Sequence, residues 1–486
     1  MTIRLGQLAG NEVPLHPDAA ALPVAGLTAD SRAVKPSFVF AALPGTHVDG
    51  SAFIPQAIAA GAVAVVAGEG VVAPGVVCIT TANPRQVFAR MAARFHGRQP
   101  DTVVAVTGTS GKTSVATFVR EIWTAMGFRA ASLGTVGVVS PSGTIELEHT
   151  TPDAMTLQGI AAQLADEKVE HLAIEASSHG LDQYRLDGLR IAAAGFTNLS
   201  HDHLDYHPTV DDYFNAKMRL FEQLVAPGGA AVINVDTPRG EEAARRAAAH
   251  GLKVWSVGLR GETIKVLAVR REAGSQHVTV SVKGRAYEVD LPLAGDFQVS
   301  NALIAAGLVL AAGGDEAQVM HALQSLKGAK GRLELVGRNA AGAPVFVDYA
   351  HKPDALENAL SSLRPYTRGR LFVVFGCGGD RDRAKRPIMG EIATRLADRV
   401  FVTDDNPRTE EPAAIRAAIM AAAPGATEIG SRAAAIRAAV DALQEGDVLI
   451  VAGKGHEEGQ KIGKQVLPFS DHEAVKAAIA GRDYHG

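Results

Sequence analysis

Cysteine is scarce in this chain: only Cys78 and Cys377 occur among 486 residues, far apart in sequence. Two thiols build neither a disulfide framework nor a four-ligand zinc site, so the composition fits a reducing compartment. Long apolar runs are missing as well. None approaches the roughly 18 residues of a membrane span, and the opening MTIRLGQLAGNEVPLHPDA has no uninterrupted apolar stretch of signal-peptide length. The expectation is a cytoplasmic protein that is neither exported nor embedded in a membrane. Basic charge is not in excess. Against 48 Lys and Arg stand 52 Asp and Glu, a formal net charge of −4, which argues against a nucleic-acid surface. There is no internal repeat and no low-complexity tract beyond alanine enrichment.

What is present is a globular composition, 47% hydrophobic and 21% charged, on a chain too long for one hydrophobic core. Three α/β domains are expected, over residues 1–98, 99–330 and 331–486. In the first, apolar runs at Phe38–Leu43, Ala62–Ala67 and Val76–Ile79 alternate with alanine-rich helical stretches. In the second, TVVAV from Thr102 leads through a glycine-rich turn into a helix with Val115, Val119, Ile122 and Trp123 at helical spacing. Further runs at His171–Ala176, Ile191–Phe196 and Ala230–Val235 predict a mostly parallel sheet covered by helices. Between His277 and Leu291 the period changes to two, through HVTVSV, KGR and AYEVDL, which predicts an antiparallel hairpin. In the third domain, runs at Val345–Val347, Leu371–Phe375, Val400–Thr403 and Val448–Ala452 each end in a polar or glycine-rich segment. That pattern predicts a second, Rossmann-like open α/β sheet with ligands at the carboxyl ends of its strands.

The loop Thr107-Gly108-Thr109-Ser110-Gly111-Lys112-Thr113 has the parts of a P-loop-type ATP site. Its glycines permit close backbone approach, Lys112 faces solvent to meet the β- and γ-phosphates, and the Thr113 hydroxyl suits Mg2+. Val106 stands where the common P-loop has its first glycine. Glu175, at a strand's carboxyl end, and the cluster His201-Asp202-His203-Leu204-Asp205-Tyr206-His207 add carboxylate and imidazole suited to Mg2+ or Mn2+ shared with phosphate oxygens. Each also has a plainer explanation, as a solvated carboxylate and a surface loop of histidines. Lys217 lies on a helix whose Tyr213, Phe214, Leu220 and Phe221 pack inward, and composition alone makes it a solvated lysine.

The shortened loop G-x-x-G-K-T, with SHDHLDYH, DYAHKPDAL, the DNPR box and GKGHE in order behind it, resembles the Mur ligase family over the whole chain. Ser110 departs from the asparagine usual in that family's loop. The resemblance implies an ATP-dependent amide ligase of peptidoglycan synthesis that works through an acyl phosphate. A D-glutamate γ-carboxylate takes the γ-phosphoryl group of ATP, and an amine then displaces phosphate. Catalytic roles are implied for Lys112, Glu175, His203 and Lys217, and metal contacts for Thr113, Glu175, His203 and Lys217. Lys217 would be carbamylated, which turns an ammonium into a carboxylate-like anion. Besides Thr107 to Thr113, the implied ATP contacts are Asn301 to adenine, Arg332 to phosphates and Asp348 to ribose.

By the same resemblance Ser31, His47, Val48 and Asp49 form a uridine-diphosphate pocket, beside a turn in which Ser37 replaces a frequent glycine. Thr150, Thr151, Ser177, Gln183 and Arg185 would hold the muramoyl dipeptide. The implied partners are UDP-N-acetylmuramoyl-L-alanyl-D-glutamate and meso-diaminopimelate, with ATP and Mg2+, on a monomer. Arg381, Asp405, Asn406, Pro407, Arg408, Gly453 and Glu457 are the implied amino-acid contacts. A guanidinium at Arg408 can meet the extra carboxylate of diaminopimelate with two parallel hydrogen bonds, a match lysine does not offer. The alternative for DNPR is a plain turn with its arginine in solvent. A lysine-adding ligase and a folylpolyglutamate synthetase-like ligase are the alternatives within the class, and a nucleotide-dependent switch is the alternative outside it.

Overall fold

The structure, a computed structural model, describes residues 3–45, 48–200, 202–203, 206–272 and 274–484. The chain divides into two compact units, Met1–Ser256 with Gly307–Gly314, and Val257–Ala306 with Asp315–Gly486. Among the described residues no helix is long and apolar enough to cross a membrane.

Beside a short pairing of Ile3–Arg4 with Pro23–Val24, the first unit is built on two larger sheets. Gly26–Thr28, Phe38–Ala41, Ala62–Gly68 and Val77–Thr81 pair in parallel in that order, so the three apolar runs expected there are strands. The helix Pro84–His96 starts at Asn83, whose side chain accepts from Gln86 N at 3.1 Å. Its Val87, Phe88 and Met91 pack against Leu27, Val39, Ala64 and Val66 of the sheet.

Thr102–Thr107 is the centre of the larger sheet, parallel to His171–Glu175 on one side and Ile191–Phe196 on the other. Ala130–Gly134 and Val225–Asn234 continue it outward in the same sense. The strands Gly137–Ser140 and Gly143–Ile145 add an antiparallel edge. Val103, Ala105, Leu172 and Ile174 are fully buried, as the interior of a covered parallel sheet requires. On the helix Lys112–Ala125, Val115, Val119, Ile122 and Trp123 are all buried, so the spacing read from the sequence marks its inner face.

The second unit contains the expected hairpin, Ser275–Val282 against Arg285–Leu291. Val278, Val280 and Val282 are buried, while Thr279 and Ser281 between them are only partly covered. A partner strand that the sequence did not reveal, Ile264–Glu272, pairs antiparallel with Ser275–Val282. Its Lys265, Arg270 and Arg271 obscure the apolar alternation.

The six-stranded sheet of this unit runs in the order Glu334–Arg338, Pro344–Asp348, Val448–Ala452, Leu371–Phe375, Arg399–Val402, Thr427–Glu428, parallel except at its first pair. The last long strand in sequence thus sits between the first two parallel ones. Such an order reversal opens a crevice at the carboxyl ends, where the loops after Asp348, Phe375, Val402 and Ala452 emerge.

Beneath that edge lies a fully buried ion pair. Arg432 donates from Nε and Nη2 to the two carboxylate oxygens of Asp471, each at 2.7 Å, and from Nη2 to Ala452 O at 3.0 Å. It ties the helices Arg432–Asp441 and Asp471–Ile479 to the end of the central strand. Asp471→Asn would leave the guanidinium uncompensated, so denaturant unfolding should show the variant less stable by about 3–5 kcal/mol. A loss below about 1 kcal/mol would mean that water or another carboxylate replaces the partner.

Candidate active site

Gly108 leads the loop out of Thr102–Thr107 with φ +148°, and a Cβ there would stand 1.8 Å from Thr197 Oγ1, so only glycine fits. The segment after Ile191–Phe196 pins the rest of the loop. Thr109 N donates to Asn198 O and Ser110 N to Asn198 Oδ1, each at 3.0 Å. Thr197 Oγ1 donates to Ser110 O at 2.6 Å, and Ser200 N donates to Thr109 Oγ1 at 3.0 Å. Ser110 is exposed and enters this network through its backbone, so the network does not depend on the asparagine side chain usual there. Gly111 starts the helix without a capping side chain, which leaves the positive end of the helix dipole at the loop. Lys112 does not project into solvent as expected of a loop lysine. Half-buried, it curls back to donate to Gly108 O at 2.9 Å and Thr109 O at 2.8 Å.

Glu175 ends its strand opposite Val106 and is buried. Thr113 Oγ1 donates to its Oε2 at 3.0 Å, and Thr135 N donates to its Oε1 at 2.8 Å. The plainer reading of a solvated carboxylate therefore fails, since the group is aimed at the first turn of the loop's helix. Lys217 is also buried, at 1% exposure, and the solvated lysine inferred from composition is overturned. Its Nζ donates to Gly108 O at 2.8 Å and lies 4.1 Å above the Tyr213 ring. Burial, then the Lys112 ammonium, pushes its pKa well down, with Asp202 opposing. A depressed pKa favours the neutral amine, the form that can add to CO2.

His203 has φ +54° and its ring lies 5.9 Å from that of Tyr213. Tyr213 in turn donates from its hydroxyl to Thr109 Oγ1 at 3.2 Å, so it joins His203, Lys217 and the loop. His201, Leu204 and Asp205 lie outside the described residues. Among the described residues no three His, Cys, Asp or Glu side chains gather as a ready-made cation site. One hydroxyl, one buried carboxylate, one imidazole and an amine convertible to a carbamate nevertheless suit Mg2+ that completes its shell with phosphate oxygens and water.

A cavity of about 500 Å³ in the same unit is lined by Thr28, Asp30, Arg85, Asp153, Gln183 and Arg185, among others. Arg185 donates from Nη1 to Thr151 O at 2.6 Å and from Nη2 to Gln183 Oε1 at 2.7 Å. Thr151 Oγ1 donates to Glu175 O at 2.8 Å and accepts from Ser177 N at 3.1 Å. The hydroxyls of Thr150 and Thr135 are 3.0 Å apart. These bonds tie Thr151 to Glu175 directly, Thr150 to it through Thr135, and Ser177 and Arg185 to Thr151, with Gln183 held by Arg185.

Among the described residues, the N-terminal candidates Ser31, Val48 and Asp49 are not joined by hydrogen bonds in this way. Ser31 Oγ donates to Gln56 Oε1 at 3.2 Å, Asp49 accepts from Ser51 N at 2.8 Å, and Val48 is exposed. His47 lies outside the described residues. Asp30, next to Ser31, lines the cavity instead, and its hydrogen bonds from Arg32 lower its pKa to about 2. Arg85 was missed by the sequence reading. Its only signal is its place directly after Asn83-Pro84 at a helix start.

In the second unit, Asn406 Oδ1 accepts from Lys454 Nζ at 3.0 Å and from Lys461 N at 2.9 Å, and its Nδ2 donates to Glu457 Oε2 at 3.0 Å. Gly453 has φ +122°, and a Cβ there would stand 2.7 Å from Asp405 Oδ2. The DNPR box only leads into a turn, closed by Glu410 N donating to Pro407 O at 3.1 Å, while Arg408 itself bridges to Ile462 and does not project into solvent. Half-buried with φ +53°, it donates from Nη1 to Gly379 O at 2.8 Å. Its backbone donates to Lys461 O at 3.0 Å and accepts from Gly463 N at 2.6 Å. Arg381 is exposed on the neighbouring segment. The sequence reading missed Lys454, because a lysine between glycines reads as surface.

Of the remaining candidates, Asn301 is buried and donates to Gln298 Oε1 at 3.3 Å. Asp348 accepts from Leu333 N at 2.6 Å and Ala350 N at 2.8 Å. The Arg332 guanidinium lies 5.0 Å from the centre of the Tyr349 ring.

Residues 23–96, 106–309 and 331–455 match, in turn, the Mur ligase family catalytic domain, the Mur ligase middle domain and the Mur ligase glutamate ligase domain. The UDP-N-acetylmuramoyl-L-alanyl-D-glutamate--2,6-diaminopimelate ligase of Bradyrhizobium diazoefficiens is 57% identical over 484 residues, 99% of this chain and 100% of its own. A solved structure bearing the same ligase name is similar with a TM-score of 0.77 at 32% identity over 99% of both chains. A folylpolyglutamate synthase of Mycobacterium tuberculosis complexed with ADP and AMPPCP shares the fold, with a TM-score of 0.60 at 20% identity over 76% of this chain and 92% of its own.

Gly134 offers a direct test of the buried carboxylate. A Cβ there would stand 2.0 Å from Glu175 Oε1, while φ at Gly134 is not positive, so alanine suits its backbone and its nearest collision is with the Glu175 side chain. Gly134→Ala should cost about 1–3 kcal/mol in stability and lower kcat by about 100-fold through displacement of Glu175. Unchanged kcat would separate Glu175 from the chemistry.

Proposed function

The chain belongs to the Mur ligase family, and on that premise we propose that it joins meso-2,6-diaminopimelate to the D-glutamate γ-carboxylate of UDP-N-acetylmuramoyl-L-alanyl-D-glutamate, driven by ATP, in peptidoglycan precursor synthesis. The observation that carries the choice of amino acid is the half-buried Arg408, two residues after Asn406, which donates to Glu457. The domain limits 1–98, 99–330 and 331–486 accompany this reading, supported by the three matched segments. So do a cytoplasmic location, where ATP and the nucleotide precursor are found, and a monomeric state.

A carboxylate does not acylate an amine in water without activation. The γ-carboxylate attacks the γ-phosphorus of ATP to give an acyl phosphate and ADP, and the amine then displaces phosphate at the activated carbonyl. The helix start after Gly111 and the Lys112 ammonium offset charge on the transferring phosphoryl group. Bound Mg2+ supplies further positive charge to the phosphate oxygens, and Thr113, Glu175, His203 and carbamylated Lys217 would hold it. Carbamylation joins the neutral Lys217 Nζ, which lies 2.8 Å from Gly108 O, to the carbon of CO2 with release of one proton. The cavity beside Glu175 takes part of the nucleotide substrate, with Arg85 and Arg185 as cations for its phosphate or carboxylate groups. Ser31, His47, Val48 and Asp49 serve its uridine end, and Asn301, Arg332 and Asp348 serve ATP.

Arg408 meets the second carboxylate of diaminopimelate, with Arg381, Asp405, Pro407 and Gly453 shaping the pocket, and Glu457 meets the distal ammonium. Lysine would leave the half-buried guanidinium with its Gly379 bond but no carboxylate for its remaining donors, an arrangement that rejects the analogue by roughly 10⁴. Wild-type kcat/KM should favour diaminopimelate over lysine by that order, and Arg408→Ala should erase most of the preference. Comparable use of lysine by the wild type, or unchanged selectivity in the variant, would refute the assignment.

Lys217→Ala should lower ligation by at least about 100-fold, and added short carboxylates should restore part of it. A fully active variant removes the carbamate from the mechanism.

A further inference from the structure

Lys454 lies in GKGHE, between the pocket residues Gly453 and Glu457, yet its side chain is 0% exposed, an uncommon place for an ammonium. Burial lowers its pKa, while Asp405 and Glu457 draw it back up. Its Nζ donates to Asn406 Oδ1 at 3.0 Å and stands 3.5 Å from Glu457 Oε2. A second donor, Lys461 N, reaches the same Asn406 oxygen at 2.9 Å.

An amide oxygen has two lone pairs, and here both are engaged. Turning the amide over would break both bonds and point the oxygen at a carboxylate. In the observed sense, Nδ2 donates to Glu457 Oε2 at 3.0 Å. One buried cation therefore fixes the sense of Asn406 and, through it, the place of the Glu457 carboxylate.

Resting on the reading of Asn406 and Glu457 as amino-acid contacts, we propose that Lys454 is a positioning residue of the amino-acid pocket. With Asn406 it occupies Glu457 Oε2 and leaves Oε1 for the distal ammonium of the incoming diamino acid. It sets affinity for that substrate without touching it. It also balances Glu457, so the pocket is not left with an uncompensated negative charge in the absence of substrate.

Lys454→Met keeps the length of the stem and removes the ammonium. Steady-state kinetics on the full-length variant, with each substrate varied in turn, should show KM for diaminopimelate raised about tenfold or more. KM for ATP and for the UDP-linked dipeptide should stay within about twofold, because their sites lack this network. In a Glu457→Gln background the same substitution should raise KM by clearly less, since the two residues act through one carboxylate. If Lys454→Met does not fold, Lys454→Gln takes the same measurements with a smaller expected rise, because its amide can still donate to Asn406.

An unchanged KM for diaminopimelate overturns the proposal. So does a parallel rise in all three KM values with a fall in melting temperature, which marks a merely structural lysine, or full additivity with Glu457→Gln. A wild type that does not use diaminopimelate overturns the underlying reading. A wild type that uses it, with KM unmoved by Lys454→Met, overturns only the role of Lys454.

Discussion

The parallel pairing of Thr102–Thr107 with its two neighbours sets Val106 opposite Glu175 and Thr107 opposite Phe196. Side chains alternate faces along a strand, so a slip of one residue would turn Glu175 away from Thr113 and carry Thr197 away from the loop. Everything at the candidate phosphate site hangs on that register. The Thr197–Ser200 segment can pin the loop only because its strand ends level with it, and Lys217 can reach Gly108 O only because the loop is held in place. The glycines are the complement of this closeness. Gly108 and Gly134 stand where a methyl group would meet Thr197 or Glu175 at 2.0 Å or less.

Two buried lysines show how the same side chain is put to opposite uses. Lys217 is buried with the Lys112 ammonium near it, and both favour loss of its proton, against the pull of Asp202. Lys454 stands by Asn406 and Glu457, and although burial and Arg432 lower its pKa too, three carboxylates, Asp405, Glu457 and Asp471, pull the other way. Chemistry on an amine needs the first environment, and holding polar groups in place needs the second.

The strands that carry both sites were legible in the sequence, because parallel strands covered on both faces leave unbroken apolar runs such as LFVVF and VLIVA. The strand Ile264–Glu272 was not, since its exposed face carries charges that break the pattern. Site residues within motifs were named through the resemblance, and of these Thr151, Gln183 and Arg185 are joined by hydrogen bonds. Arg85, Asn198 and Lys454 were not, because their parts are defined by partners distant in sequence: Asn198 by the loop 88 residues before it, Lys454 by Asn406 48 residues before it. Burial of Lys217 was likewise out of reach of composition, which ranks lysine as a surface residue.

The hairpin of Gly459–Ile462 and Gln465–Pro468 holds the DNPR segment mainly through its main chain, by Lys461 N, Lys461 O and Gly463 N. Only Gln460, which donates from Nε2 to Asp405 O at 2.7 Å, contributes a side chain to that grip. Its exposed Ile462, Val466 and Leu467 take no part in it. Main-chain bonds are indifferent to residue type, so the hairpin's outward surface can drift over evolutionary time, in charge or in greasiness, while the segment beneath keeps its form. Two relatives could then look unlike one another at this surface and still select the same amino acid.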